Sequence, residues 1–148
     1  MYKNILITTD GSELGRKGVV EGLALANTLG AQATILTVSE PIKPAAYEAA
    51  RHGGVSDPTA NYDRMLREDM ESRLKKFEEE QAKYDIEIKL AQDIDDHPAE
   101  AIVRWAENHD HDLIIMASHG RRGIRRMMLG SQTAEVVQTT KIPVLVLR

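Results

Sequence analysis

Residues 117–132, ASHGRRGIRRMMLGSQ, set Gly120, Gly123 and Gly130 among Arg121, Arg122, Arg125 and Arg126 and continue into Ser131. Glycine has no Cβ, so main-chain N–H groups beside it can come close to a ligand. Successive N–H groups of this kind form a concave nest for an anion. Gly130-Ser131 stands where a helix opens, and a helix N-terminus favours phosphate, to which Ser131 adds a hydroxyl donor. Four guanidinium groups raise the local positive potential in a chain whose formal net charge is −4. The chemistry these residues suit is the holding of a phosphate. A solvated loop with turn glycines, and Ser131 as a plain N-cap, remains the simpler alternative. His119 lies inside the same loop, where it either meets the phosphate or shapes the turn.

A second loop, TTDGSE at residues 8–13, carries a carboxylate. Beside a phosphate, Asp10 would repel it. Its roles are therefore a hydrogen bond to a sugar hydroxyl, a share in a divalent cation bridging phosphates, or the shaping of its own turn. His109 and His111, in ENHDHD, have a His-x-His spacing with Asp110 and Asp112 alongside. That spacing can bind a metal weakly, but a polar helix-to-strand loop is the expectation, and no metal site is assigned. No nucleophile, base and orienting group assemble at a recognisable spacing. Cysteine is absent, so neither a thiol nucleophile nor a disulfide framework enters.

The elements that carry these loops follow from periodicity. KNILITT, residues 3–9, reads as a buried strand. A helix capped by Ser12 follows, with Leu14, Val19, Val20, Leu23, Leu25 and Ala26 as its apolar face. Leu29-Gly30 stops it. A second strand covers 33–38. Residues 41–58 hold three of five prolines and Gly53-Gly54, which predicts a long irregular segment with at most one helical turn. Tyr62, Leu66, Met70, Leu74 and Phe77 mark a surface helix from Thr59 to Tyr84. Ile86, Ile88 and Leu90 alternate as in a strand. His97 and Pro98 open a helix that turns Ile102, Val103, Trp105 and Ala106 to the core. DLIIMAS is a central strand apolar on both faces. GSQTAEVVQTT is the last helix and IPVLVLR the last strand.

Strict alternation predicts α/β architecture: one doubly wound open sheet of five parallel strands with helices on both faces, and the order expected for it is 3-2-1-4-5. The length of 148 residues suits a single domain over 1–148. Such sheets bind ligands beyond the carboxyl ends of their strands, where the strand order reverses. In this order strands one and four are neighbours, so TTDGSE and the glycine-arginine loop face each other across one crevice.

These residues resemble the universal stress protein family. Its nucleotide-binding pattern is Gly, two residues, Gly, nine residues, Gly, then Ser or Thr. Ala117-Ser118-His119-Gly120, nine residues, and Gly130-Ser131 follow it, departing only at Ala117. ILITTDGSE, DLIIMASHGRRG and IPVLVLR resemble the family's first, fourth and fifth strands. The resemblance implies a Rossmann-like sheet, a homodimer paired through Pro143–Leu147, and ATP or AMP as ligand, with Mg²⁺ or Mn²⁺ arriving on the nucleotide. It implies adenine near Thr9 and Val38, ribose near Asp10, and Met116 and Ala117 as the floor. Phosphates would lie on Gly120, Gly130, Ser131 and the backbone of Gln132 and Thr133. The Ala117 methyl could narrow that pocket. The last strand also stands by itself as a candidate edge, whose unpaired backbone invites a partner strand.

The implied function is an adenine-nucleotide-binding stress or signalling module, with at most slow ATP hydrolysis. The alternative is a nucleotide-free interaction protein of the same fold. A phosphoaccepting receiver domain is disfavoured, since TTDGSE supplies one acidic residue after the first strand rather than a pair, although Lys141 lies near the last. Neither loop signature of the adenylating enzymes occurs. Flavin binding is disfavoured by the carboxylate and by six aromatics in all. Net charge disfavours general nucleic-acid binding. Apolar runs are far too short for a membrane helix, and a cytoplasmic location is expected.

Overall fold

The computed structural model describes residues 1–119 and 129–148; the side chains of residues 74 and 76–80 also lie outside the description. The element order is β1 (Asn4–Thr8), α1 (Glu13–Leu29), β2 (Gln32–Ser39), α2 (Pro44–His52), α3 (Pro58–Gln81), β3 (Ile88–Ile94), α4 (Pro98–Asn108), β4 (Leu113–Ala117), α5 (Ser131–Thr139) and β5 (Val144–Leu147). The strands form one sheet in the order β3-β2-β1-β4-β5, and every pair is parallel.

The central strands read as continuous apolar runs because both of their faces are covered. Alternate residues serve opposite faces. Ile5, Ile7, Ile35 and Ile115 pack with Leu23 and Ala26 of α1. Leu6, Leu36, Ile114 and Met116 pack with Ile102 and Ala106 of α4 and Val136 of α5. The backbone between the two layers is paired within the sheet.

Two expectations change. Residues 44–52 form a helix, not an irregular segment. Pro44 sits in its first turn, where the missing N–H costs nothing, and Ala45, Ala46, Ala49 and Ala50 favour helix without an apolar stripe. None of its residues is buried, which is why periodicity did not reveal it. In α1, Val20 is 51% exposed rather than core. The buried face is instead Gly15, Gly18, Gly22, Leu23 and Ala26. Glycines spaced by three and four bring the helix axis close to the sheet: a Cβ on Gly22 would lie 2.9 Å from Ile7 Cδ1.

Candidate functional site

β1 and β4 are neighbours in register, Ile7 opposite Ile115, so their carboxyl ends reach the same level. The chain leaves β1 through a tight turn. Thr9 N donates to the Leu36 carbonyl at 3.0 Å. Gly11, at φ 76°, donates its N–H to Thr9 Oγ1 at 3.1 Å, and Ser12 N donates to Asp10 Oδ1 at 2.9 Å. Ser12 then caps α1, its Oγ accepting from Gly15 N at 3.0 Å. Asp10 Oδ1 thus helps to hold its own turn.

Across the crevice, Ser118 N donates to the Leu147 carbonyl at 2.6 Å, and Gly130 N donates to the Ser118 carbonyl at 2.7 Å. The chain thus returns directly onto the end of β4. Only glycine fits this approach without adjustment, since a Cβ on Gly130 would lie 3.1 Å from the Ser118 carbonyl oxygen. Thr133, 4% exposed, fastens the same joint through Oγ1, which donates to the Ala117 carbonyl at 3.0 Å. Gly130 is the N-cap of α5 and Ser131 its first residue, so Ser131 is not the cap. The first bond within the helix runs from Ala134 N to the Gly130 carbonyl at 2.9 Å. The N–H groups of Ser131, Gln132 and Thr133 have no intrahelical acceptor, as at any helix start, and none among the described residues, and they lie beside the β4 exit.

The Gln132 side chain reaches towards α4. Its Oε1 accepts from Ala99 N at 2.9 Å, satisfying a donor in the first turn of α4. His119 shapes its own surroundings, with Nδ1 2.9 Å from Ser118 Oγ. Its Nε2 is buried and has no partner among the described residues. Met116 is 5% exposed and packs within the cluster facing α4 and α5. Val38, further along β2, packs against the same cluster. Ala117 lies against α1: a Cβ on Gly18 would be 3.8 Å from the Ala117 Cβ, ordinary contact. Its methyl is thus accommodated by a glycine of α1. Gly120, Arg121, Arg122, Gly123, Arg125 and Arg126 lie outside the described residues.

Gly15 escaped the sequence reading. A Cβ there would lie 2.8 Å from both Asp10 Oδ1 and Thr9 Oγ1. The signal was available in the spacing of Gly15, Gly18 and Gly22, unusual for a helix interior. The Gln132 side-chain contact had no such signal. His109 and His111 stand at the opposite end of the sheet. Asp112 there is committed to backbone, accepting from Lys3 N at 2.7 Å and Asn4 N at 3.1 Å. Among the described residues no group of three His, Asp or Glu is arranged for a metal.

The family model described as "Universal stress protein family" matches residues 1–148. Universal stress protein MJ0531 of Methanocaldococcus jannaschii is 27% identical over 148 residues, covering 100% of this chain and 83% of that protein. Universal stress protein Slr1230 of Synechocystis is 42% identical over 69 residues, a match spanning 47% of this chain and 23% of that longer protein. The solved structure of MJ0577 superposes with a TM-score of 0.76 at 28% identity, covering 99% of this chain and 96% of that one. Among the described residues no helix is long and apolar enough to cross a membrane.

Proposed function

This chain belongs to the universal stress protein family, and on that premise we propose that it is an adenine-nucleotide-binding stress or signalling module. The observation that carries the reading is the joint at Gly130. It sets three amides, of Ser131, Gln132 and Thr133, without a partner among the described residues, beside the β4 exit. A side chain there would crowd the Ser118 carbonyl at 3.1 Å. A phosphate satisfies such amides and complements the positive end of α5.

In this reading the phosphates rest on Gly120, Gly130, Ser131 and the Gln132 and Thr133 amides. The ribose lies at Asp10, the adenine between Thr9 and Val38, and Met116 and Ala117 lie beneath. Arg122, Gly123 and His119 complete the loop side. Proteins of this fold support adenine as the base. One universal stress protein was solved with cAMP, at 22% identity and a TM-score of 0.62. Another, from Archaeoglobus fulgidus, was solved with dAMP, at 16% and 0.58. ATP or AMP is the proposed ligand, with Mg²⁺ or Mn²⁺ carried in on its phosphates. The whole chain acts as one domain in the cytoplasm, without dedicated catalysis beyond slow ATP hydrolysis. β5 is an edge strand, and Pro143–Leu147 is the proposed homodimer contact, with Leu145 36% exposed there.

The test is mass spectrometry of nucleotide released from purified protein, then calorimetric titration with ATP and AMP. Gly130→Glu is expected to abolish binding. Unchanged affinity in that variant, or Ser131–Thr133 amide resonances of the unaltered protein that ignore saturating ATP and AMP, refutes the reading. The nucleotide-free interaction protein would then stand.

A further inference from the structure

Helices α4 and α5 follow β3 and β4, and their first turns lie within one side chain's reach of each other. Neither is capped by its own N-cap residue. In α4, His97 makes no side-chain cap bond, and Pro98 in the first turn has no N–H. In α5, Gly130 has no side chain with which to cap.

The acceptor that α4 lacks comes from α5. Gln132 Oε1 accepts from Ala99 N at 2.9 Å. Ala99 is 1% exposed and stands in the first turn, where a helix provides no acceptor of its own for an N–H. Gln132 is thus a cap supplied from another helix, 33 residues away along the chain.

The same bond acts on α5. That helix has nine residues, of which Thr133 and Val136 are buried. Val136 joins Ala99 and Ile102 of α4 and Met116 of β4 in one apolar cluster. With so little buried surface, the first turn depends on polar anchors to hold its direction. Two side chains provide them, to two different elements. Thr133 Oγ1 donates to the Ala117 carbonyl of β4, and Gln132 Oε1 takes the Ala99 N–H of α4. Hydrogen bonds weaken steeply with misalignment, so the strength with which the amides of this turn hold an anion depends on how firmly the turn is set beforehand.

We propose that the Gln132 side chain is a positioning residue for phosphate: by binding Ala99 N it fixes the first turn of α5 against α4 and holds the Ser131–Thr133 amides ready for the anion. The inference rests on the nucleotide reading above and goes beyond it in one respect. It assigns the worth of a side-chain bond outside the crevice to the phosphate of the ligand, and none of it to the base or the sugar. The competing role is that Gln132 only caps α4, in which case its loss is felt in stability alone.

The full chain, labelled with ¹⁵N, is titrated with AMP and, separately, with adenosine, which has the same base and sugar without the phosphate. Gln132→Leu keeps the bulk of the side chain and removes the acceptor. It is expected to bind AMP about fivefold more weakly, the worth of one hydrogen bond, with adenosine affinity unchanged. His97→Ser gives α4 a cap of its own. Added to Gln132→Leu, it should return the urea midpoint towards that of the unaltered protein while AMP binding stays weak. Should Gln132→Leu by itself fail to fold, the double variant measured against His97→Ser carries the comparison. AMP affinity unchanged by Gln132→Leu, an equal loss for adenosine, or recovery of AMP affinity on adding His97→Ser overturns the proposal. An unaltered protein that binds neither AMP nor ATP overturns the nucleotide reading and the proposal together, whereas an unaltered protein that binds AMP no better than Gln132→Leu overturns the proposal alone.

Discussion

Two glycine-to-alanine substitutions in the same helix should move stability in opposite directions. In α1, Gly15 lies under the β1 turn. A Cβ there would fall 2.8 Å from Asp10 Oδ1, 2.8 Å from Thr9 Oγ1 and 3.2 Å from Ser12 Oγ, where ordinary contact begins at 3.4 Å. Each of these oxygens accepts a backbone N–H, from Ser12, Gly11 and Gly15 respectively. The two nearest must retreat by about half an ångström, which disrupts their bonds at about 1 kcal/mol each. Alanine returns at most about 1 kcal/mol in helix propensity, less in the first turn. Gly15→Ala should therefore lose about 1–2 kcal/mol, or about 3–6 °C in Tm. At Gly18 the new methyl would meet Ala117 Cβ at 3.8 Å, without conflict. Gly18→Ala should gain about 1 kcal/mol from propensity and reduced freedom of the unfolded chain. Urea and thermal unfolding of both variants supply the test. Shifts of the same sign would refute the close approach of α1 to the turn, whatever the ligand is.

Two further predictions concern α5 and His111. Gln132→Ala removes the acceptor of Ala99 N, in a residue 1% exposed, and should cost about 1–3 kcal/mol. Gln132→Glu keeps an oxygen there and should recover most of it, so equal losses in urea unfolding would refute the contact. Desolvation by burial holds the His111 pKa below its ordinary 6.5, only partly offset by the facing Ala106 carbonyl and by Asp112 and Asp110, while nearby His109 lowers it further. The unfolded chain then takes up a proton that the folded chain refuses. The stabilisation is complete above pH 6.5 and is lost as pH falls through the folded-state value. Unfolding free energy should decline from pH 7 to pH 5, and more shallowly in His111→Gln; identical slopes would count against burial of a neutral ring.

The strand sequence was legible because the strands of a doubly covered parallel sheet are continuous apolar runs, as in NILIT and LIIMA. Alternation and crossover handedness allow the order β3-β2-β1-β4-β5 without fixing it, and the structure adopts it, placing the exits of β1 and β4 side by side. Helix α2 was hidden because it buries nothing, and periodicity records burial, not helicity. Val20 was misassigned for a related reason. Hydrophobic type does not mark the inner face here, since α1 presents glycines to the sheet and turns a valine outward.

From the chain alone came the fold class, the two loops that meet at the reversal of strand order, and the suitability of Gly130 and the following amides for an anion. These depend on local rules: residue spacing, turn chemistry, and which groups a helix start leaves unpaired. Folding added that Gly15 must lack a Cβ, that the Gln132 side chain is committed to α4, and that Ala117 rests against Gly18. Each of these is a distance between residues far apart in the chain. Such distances are set by how closely helices approach the sheet, and no pattern along one segment encodes that separation.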